Sequence, residues 1–294
     1  LFLGCQIPAR LPAYETAARK VFSEALGIGL LDIKAFNCCG YPVRNIDENA
    51  FLLSSARNLA LAEKAELDIL VLCSCCYGSL KKAESQIRGD PDLKAWINEI
   101  LAREGLAYEG KAQARHFLSV LYHDVGKDAL AEKITNPFKT LKIAAHYGCH
   151  ALRPSAVVSF DDPVRPAILD ELVALTGAES VDWSMQLECC GAPLSGIHDR
   201  LALDQTAKKV ESAQKAGAEC FCTACPYCQM QFDTMQKRLP SITYPQLIGL
   251  SMGMEAKTLQ IDNHKIPLSP IMQSFGRDQA RQADYMPVRR YDGV

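Results

Sequence analysis

A cysteine pattern that occurs twice is the feature of this sequence that most restricts its fold. Each copy contains a lone cysteine preceded by glycine, a Cys-Cys-Gly triplet and a CxxC pair. The first copy consists of Cys5, Cys38, Cys39, Cys73 and Cys76, and the second of Cys149, Cys189, Cys190, Cys225 and Cys228. The gaps between these parts are 32 and 33 residues in the first copy and 39 and 34 residues in the second. Agreement at three separated places indicates an internal duplication.

The sequence between the cysteines alternates between strand-like and helix-like segments. Short apolar runs predict strands at 1–5, 30–36, 67–73, 141–149, 179–183 and 218–222. Amphipathic helices are predicted at 13–26, 48–65, 165–176 and 200–217, with a helical region at 95–130 and a last helix at 244–254. This alternation predicts an α/β fold of two pseudo-symmetric halves, each a small parallel, Rossmann-like sheet flanked by helices.

The predicted fold brings the cysteines of each copy together. Ligands of parallel α/β sheets bind at the carboxyl ends of the strands, where the patterned cysteines are expected. We predict an N-terminal half at residues 1–140, a C-terminal half at 141–250 and an extended C-terminal tail at 251–294. Gly40 and Gly191 follow the paired cysteines and can supply the sharp turn that lets two adjacent thiols reach one ligand.

Composition and charge exclude several classes of protein. The 294 residues, 48% of them hydrophobic, suffice for a packed core. A net charge of -2 lacks the basic excess typical of nucleic-acid-binding proteins. No apolar run reaches the ~20 residues of a membrane helix, so we expect no direct membrane insertion. The sequence predicts a soluble, cytoplasmic protein that does not bind nucleic acid.

Thirteen cysteines require a choice among disulfides, metal ligands and free thiols. Disulfide frameworks are typical of short secreted chains, whereas this chain is long and its cysteine number is odd. A zinc ribbon needs CxxC pairs ~15–20 residues apart and four ligands. Here 148 residues separate the pairs, and each copy offers five cysteines. Cys222, Cys225 and Cys228 begin a ferredoxin-like run, but Phe232 occupies its fourth position. Five thiolates favour a larger or unusual iron–sulfur cluster.

The details of the two copies resemble a known family. The duplicated pattern is similar to the cysteine-rich CCG domain, and the segments HYGCH, ECCGAPL and CPYCQMQFD resemble the family of heterodisulfide reductase B subunits. The resemblance runs from Leu1 to Met254. It implies two noncubane [4Fe-4S] clusters, each made of fused [3Fe-4S] and [2Fe-2S] units. The implied iron ligands are Cys5, Cys38, Cys39, Cys73 and Cys76 for cluster 1 and Cys149, Cys189, Cys190, Cys225 and Cys228 for cluster 2.

Three cysteines fall outside the repeated register. Cys75 lies inside the first CxxC pair, so it is an alternative ligand in place of Cys73 or Cys76. Cys73 with Cys76 is preferred because this pair has the same spacing as the second CxxC. Cys220 and Cys222 have no counterpart in the first copy, and we interpret both as buried core residues or neighbours of the ligands.

The resemblance also implies a reaction and partners. The family member is the catalytic iron–sulfur subunit that reductively cleaves the coenzyme M–coenzyme B disulfide to two thiols, each sulfur being captured by an iron of one cluster. A disulfide takes up two electrons while one cluster typically delivers one at a time, which a duplicated site accommodates. The implied partners are a C-type subunit with cubane iron–sulfur clusters and an A-type flavin subunit, in the context of methanogenesis and flavin-based electron bifurcation.

Two other functions remain open. One is a CCG-domain subunit of another redox enzyme that acts on a different disulfide or thiol substrate, as in thiol-dependent fumarate reductases. Such enzymes often carry ferredoxin motifs in the same chain, and this sequence has none. The other is an electron-relay subunit whose clusters only pass electrons to a partner. A symmetric pair of sites favours a two-electron substrate over a relay.

Residues other than cysteine carry weaker signals. His146 and His150 flank Cys149, and His150 is the candidate proton donor to a departing thiolate. The alternative is a histidine that only hydrogen-bonds backbone or sulfur. The implied substrate is anionic, and the candidate contacts to it are the arginines near the predicted rim, unless they are surface residues: Arg44, Arg153 and Arg200.

Overall fold

The computed structural model describes residues 1–275, which form an α/β body. The strands of this part of the chain are β1 (Ile69–Val71), β2 (Ala114–His116), β3 (Lys142–His146), β4 (Glu179–Ser180), β5 (Cys220–Thr223) and β6 (Ser241–Thr243). Its α-helices are α1 (Gln6–Arg10), α2 (Pro12–Arg19), α3 (Glu48–Lys64), α4 (Ser74–Gly89), α5 (Pro91–Leu101), α6 (Phe117–Ser119), α7 (Lys127–Ala131), α8 (Cys149–Leu152), α9 (Ser155–Val158), α10 (Ile168–Leu175), α11 (Asp199–Lys215), α12 (Pro226–Thr234), α13 (Tyr244–Ser251) and α14 (Ser269–Ser274). π-helical turns continue α2 and join α6 to α7.

The strands form two parallel sheets. The first pairs β1 with β2, and the second has the order β4-β3-β5-β6. Phe2 forms a parallel bridge with Val71 and therefore occupies beside β1 the place that β3 occupies beside β5. With helices on the sheet faces, this arrangement confirms the predicted α/β fold of two small parallel sheets.

The structural repeat extends beyond the cysteine pattern. β2 is followed directly by α6, and β6 is followed directly by α13. β2 lies within the region 95–130, so the prediction that this whole region is helical is wrong at the strand. A three-residue strand carries too little alternation to stand out from the sequence around it. The helix predicted at 244–254 is present as α13.

Residues 30–36 are not a strand, so that prediction is wrong. The amino group of Leu1 donates to the carbonyl oxygen of Leu31 at 2.7 Å, and the Leu31 side chain is 52% exposed. In the second half, β4 pairs with β3, which is five residues long. In the first half, residues 1–3 take the place of β3 but form only a single bridge. They therefore offer too little extended backbone for residues 30–36 to pair with as a strand.

One continuous apolar core joins the two halves. α4 packs against α8 and α9, and α13 packs against α2. The Tyr77 hydroxyl on α4 donates to the carbonyl oxygen of Val158 on α9 at 2.5 Å. Residues 252–275 return to this core, where Leu259, Ile261 and Ile271 are buried. The remainder of the predicted tail, 276–294, lies outside the described residues.

Candidate metal centre

The paired cysteines lie on sharp turns that glycine makes possible. Gly40 has φ +83° and Gly191 has φ +95°, a left-handed conformation that other residues rarely adopt. A Cβ atom on Gly40 would lie 2.8 Å from the carbonyl oxygen of Phe51, and one on Gly191 would lie 2.6 Å from that of Ala202. The chain therefore turns tightly against α3 in the first half and against α11 in the second.

Equivalent helices hold the two turns in the same way. The Ser55 hydroxyl on α3 donates to the carbonyl oxygen of Cys39 at 2.7 Å, and the Thr206 hydroxyl on α11 donates to that of Cys190 at 3.0 Å. α3 is capped by Asp47, whose Oδ1 accepts from the backbone N–H of Ala50 at 2.9 Å. These bonds set the backbone of each turn and hence the direction of its thiols.

The CxxC pairs lie at helix N-termini. Cys73 is the N-cap of α4, and its sulfur accepts from the backbone N–H of Cys76 at 3.4 Å. Cys225 is the N-cap of α12. The partial positive charge of a helix N-terminus stabilises a thiolate over a thiol. Of the two N-cap thiols, however, only Cys225 has a lowered pKa, because burial is outweighed there by hydrogen bonding, whereas burial raises the pKa of Cys73.

The structure brings all ten cysteines of the predicted pattern into one string of thiol contacts. Neighbouring thiols in this string shift each other's pKa, in the order Cys5, Cys38, Cys39, Cys76, Cys73, Cys225, Cys228, Cys190, Cys189 and Cys149. Where the motifs meet, the sulfurs of Cys73, Cys75 and Cys225 lie within 4.8 Å of one another, and those of Cys75 and Cys225 are 4.0 Å apart. The second five repeat the first five in reverse. A pseudo-twofold axis therefore passes between Cys73 and Cys225, and the two motifs meet there.

Two small cavities flank this axis, one lined by thiols of each motif. Their described lining includes Cys5, Cys39, Cys73 and Cys76 on one side and Cys149, Cys189, Cys190, Cys225 and Cys228 on the other. Cys75 and Tyr227 line both cavities. These two residues are equivalent, because each is the third residue of its CxxC segment. The first motif thus has an additional thiol where the second has a phenol ring.

The pKa values of the thiols in the string are shifted in opposite directions. Hydrogen bonds from Cys38, and then from Cys76, hold the pKa of Cys39 well below its usual range. In the second motif, the hydrogen bond from Cys149 is the main cause of a lowered pKa of Cys189. The pKa of Cys76 is raised well above its usual range, first by its bond with Cys39. Packed thiols cannot all ionise without a cation, whereas a bound metal deprotonates the thiols that ligate it.

His146 indicates that a polar group belongs beside the second motif. Its side chain is 1% exposed, and neither ring nitrogen has a hydrogen-bond partner within residues 1–275. A nitrogen of its ring and the sulfurs of Cys190 and Cys228 all lie within 4.8 Å of one another. A buried N–H without an acceptor is unfavourable. The sulfide of an iron–sulfur cluster held by these thiols supplies such an acceptor, so the residues present fit that group.

His150 lies at the junction of the two motifs. Its Nδ1 is 3.3 Å from the Cys75 sulfur and 3.8 Å from the Cys149 sulfur. Its Nε2 lies 3.2 Å from a guanidinium nitrogen of Arg44, and the guanidinium carbon is 4.5 Å from the centre of the Tyr41 ring. Because arginine can only donate, Nε2 is the acceptor and Nδ1 carries the proton, directed at sulfur.

Arg153 and Arg200 are not placed at the centre. Both side chains are exposed, and neither belongs to the described lining of the two cavities. Arg44 is half-buried and is the one predicted arginine that the structure brings to the junction. Cys220 and Cys222 are fully buried on β5, within the apolar core, as interpreted from the sequence.

Comparison with known proteins agrees with a duplicated cysteine centre. The family model described as "Cysteine-rich domain" (CCG) matches residues 1–81 and 143–233, one stretch for each copy of the pattern. The chain is 37% identical to the B subunit of the Ferredoxin:CoB-CoM heterodisulfide reductase of Methanosarcina mazei, over 90% of this chain and 93% of that protein. The chain belongs to the family of heterodisulfide reductase B subunits.

Other relatives show the range of proteins similar to this family member. It is 34% identical to the 8-methylmenaquinol:fumarate reductase membrane anchor subunit of Wolinella succinogenes, over 84% of this chain and 89% of that protein. A crystal structure of a hypothetical protein from Helicobacter pylori shares the fold, with a TM-score of 0.69 and 17% identity. That likeness covers 91% of this chain, which spans about half (51%) of the other. Within residues 1–275, each helix is too short or too polar to cross a membrane.

Membership in this heterodisulfide reductase family makes the chain a redox subunit, and its cysteine clusters are suited to iron–sulfur binding. Five soft thiolate donors per motif exceed the four that zinc takes. Sequence reasoning missed two residues near the second motif. Trp183 and Lys209 lie beneath its Cys-Cys-Gly turn, with the Lys209 ammonium 4.6 Å from the centre of the Trp183 ring. An alignment of the two copies places Lys209 opposite Asn58, and this difference in charge is the signal that could have identified Lys209.

Proposed function

We propose that this chain is the catalytic subunit of a heterodisulfide reductase and holds two noncubane [4Fe-4S] clusters, one on each five-cysteine motif. The proposed ligands are Cys5, Cys38, Cys39, Cys73 and Cys76 for one cluster and Cys149, Cys189, Cys190, Cys225 and Cys228 for the other. The observation that carries the proposal is the string of neighbouring thiols, in which two equivalent motifs meet where the sulfurs of Cys73, Cys75 and Cys225 lie within 4.8 Å of one another.

The proposed reaction is the reduction of the coenzyme M–coenzyme B disulfide. The S–S bond takes up two electrons and two protons and gives two thiols. When bound, the two clusters supply these electrons one each. The relatives in Methanosarcina mazei and Methanosarcina acetivorans, both named as B subunits of a CoB-CoM heterodisulfide reductase, support this substrate. They also support a multi-subunit assembly, in which we propose a cubane-bearing C-type subunit and an A-type flavin subunit as partners.

Residues of this chain have defined tasks in that reaction. Cys75 and Tyr227 line both cavities and define the space that a disulfide between the motifs would occupy. His150 holds a proton at Nδ1, 3.3 Å from the Cys75 sulfur, and can deliver it to a thiolate formed there. Arg44 has no acidic partner among the ion pairs of residues 1–275 and stacks on Tyr41, so its guanidinium is free to attract an anionic group of the substrate.

A test compares variants that lose one motif each. Cys39→Ala and Cys190→Ala are purified anaerobically, their remaining iron is measured, and disulfide reduction is assayed with a chemical reductant. If the disulfide lies between the motifs, each variant falls to background turnover, since one electron cannot complete the cleavage. Cys222→Ala, a buried cysteine outside the string, is the control and retains turnover. Near-normal turnover in either ligand variant would contradict the proposal and favour an electron relay.

A second function is supported by the Wolinella succinogenes relative. At 34% identity, a subunit of a fumarate reductase is nearly as similar to this chain as the heterodisulfide reductase subunits are. The alternative is a CCG-domain subunit of another redox enzyme with a different disulfide or thiol partner. Turnover of simple disulfides but not of the coenzyme M–coenzyme B disulfide by the loaded chain would favour it.

A further inference from the structure

The two motifs differ in the residue that supports each Cys-Cys-Gly turn from below. Ser55 and Thr206 bind the carbonyl oxygens of equivalent cysteines, so residues three positions further along α3 and α11 are also equivalent. These residues are Asn58 and Lys209. Both are fully buried. A neutral amide therefore lies under the first motif and an amine under the second.

Lys209 is buried among groups that interact with its ammonium. Burial lowers the pKa of Lys209 to about 8, and the nearby thiols of Cys190 and Cys228 act in the opposite direction. Its ammonium donates to the carbonyl oxygens of Met185 and of Glu188, the latter at 2.9 Å. It also lies 4.6 Å from the centre of the Trp183 ring, whose face attracts positive charge. Since Glu188 immediately precedes Cys189, the ammonium is bound to the backbone of the segment that carries the paired thiols of the second motif.

Asn58 supports the first motif without charge. Its Nδ2 donates to the carbonyl oxygen of Cys38 at 3.2 Å and to that of Ser54 at 2.9 Å. Its Oδ1 accepts from the backbone N–H of Asn37 at 2.9 Å. The amide thus satisfies the backbone of the turn, the task that Lys209 performs in the second motif, but adds no net charge.

A second difference lies three residues before the lone cysteine of each copy. His146 and Phe2 are equivalent, because each precedes the lone cysteine of its copy by three residues and both are buried. The His146 ring lies beside Cys190 and Cys228, and its nitrogens have no other partner within residues 1–275. Phe2 offers no hydrogen bond. The second motif therefore has both a buried cation and a free polar ring where the first has neither.

The other buried charges among the described residues have local partners. Glu84 in the first half pairs with Lys81 at 2.6 Å, and Asp233 in the second half accepts from the backbone N–H groups of Lys265 and Ile266. Lys209 is the only lysine or arginine among the buried side chains of residues 1–275. The nearest carboxylate along the turn, Glu188, is exposed to solvent and therefore screened. Arg44 lies at the junction, where it contacts His150 of the second half, so its charge does not favour the first motif alone.

We propose that Lys209 and His146 give the cluster of the second motif a higher reduction potential than that of the first, so that a single electron entering the chain comes to rest at the second motif. The inference rests on the proposed function. A reduced cluster carries one more negative charge, which a buried cation and hydrogen bonds to sulfur stabilise. With both clusters bound, this order would move one electron from the first motif to the second, and a low-potential one-electron donor would restore the first.

The test is a reductive titration followed by electron paramagnetic resonance on the anaerobic, iron-loaded full-length chain. Cys39→Ala leaves the second motif intact and Cys190→Ala leaves the first, so the two midpoint potentials are measured separately. We expect the second to be higher. Lys209→Gln keeps a donor for the carbonyl oxygens but removes the charge, and His146→Phe copies the first half. Each of these two substitutions should lower the midpoint potential of the second motif by ~59 mV. This shift corresponds to a tenfold change in the equilibrium constant for electron exchange between the motifs.

The controls separate charge from structure. Lys208→Gln removes an exposed lysine from the same helix and should shift neither midpoint, while Lys209→Arg should retain the higher potential. The inference is overturned if the second motif, measured in Cys39→Ala, has a midpoint potential equal to or lower than that of the first motif, measured in Cys190→Ala. This comparison does not depend on Lys209 variants, so it holds even if a Lys209 substitution releases iron. An unchanged second midpoint in Lys209→Gln with full iron overturns it as well. If the second motif has the higher midpoint potential but the chain does not reduce the disulfide, the proposed function is contradicted and this inference is not.

Discussion

Cys73 and Cys225 begin two equivalent helices, and their sulfur atoms lie within 4.8 Å of each other across the junction between the halves. Each occupies the N-cap position, of α4 and α12 respectively. The contact joins two sets of five thiols into one string. Because Cys75 and Tyr227 line both cavities, a ligand held at this junction lies within reach of both motifs.

Metal analysis gives the first prediction. Anaerobically purified, fully loaded protein should contain about eight iron atoms per chain and an equal amount of acid-labile sulfide, since each five-cysteine motif is proposed to hold a four-iron cluster. Plasma emission spectrometry and sulfide assay measure both. One zinc with four irons would instead show that one motif is a zinc site.

Substituting a proposed ligand should have a different effect from substituting a core cysteine. Cys190→Ala should lose the iron of the second motif and lower the melting temperature, because metal binding contributes to the folding free energy. Cys222→Ala should keep all iron and cost on the order of 1 kcal/mol, as small core truncations do. Equal iron content in the two variants would remove Cys190 from the ligand set.

Cys75 should not be needed for iron binding. Its equivalent in the second half is Tyr227, and the string of thiol contacts in that half is complete without a thiol there. Cys75→Ala is expected to keep the full iron content, whereas Cys76→Ala should lose the iron of the first motif. The opposite result would make Cys75 the ligand in place of Cys76.

The turn glycines should be intolerant of a side chain. Gly191→Ala places a Cβ atom 2.6 Å from the carbonyl oxygen of Ala202, so the turn must move and iron in the second motif should fall. Gly196→Ala is the control, because Gly196 also has a positive φ, +82°, but no atom within 4 Å of the added Cβ. It should cost only the conformational strain, roughly 1–2 kcal/mol, with iron retained.

His116 should make stability depend on pH. Burial lowers its pKa from 6.5 to about 3 in the folded chain. As pH falls below 6.5, the unfolded chain binds a proton that the folded chain does not, so stability decreases by up to about 1.4 kcal/mol per pH unit. Denaturant unfolding between pH 7 and 5 measures this slope.

A matched pair of variants assigns the slope to His116. His116→Asn should reduce it while keeping an acceptor for the backbone N–H of Leu118 at the start of α6. His123→Asn changes an exposed histidine and is the control. A slope that His116→Asn leaves unchanged would assign the pH dependence to another group.

Several features were predictable because they depend on local sequence. The register of the cysteines, the glycine turns and the helices α3 and α11 follow from spacing and amphipathic periodicity. β2 and β6 were missed and the strand at 30–36 was predicted wrongly, because short strands are decided by whether a neighbouring backbone is available. Phe2 makes a single bridge to Val71, whereas β3 has a partner on each side.

The sequence by itself determined that two equivalent cysteine motifs exist and which residues belong to each. Only the tertiary structure decided how the motifs meet. The contact of Cys73 with Cys225 and the approach of Arg44 to His150 join residues of different halves, 152 and 106 positions apart along the chain. They depend on the packing of α4 against α8 and α9, which buries apolar surface from both halves at once. No local periodicity encodes that packing, since it is set by the shape of two folded surfaces.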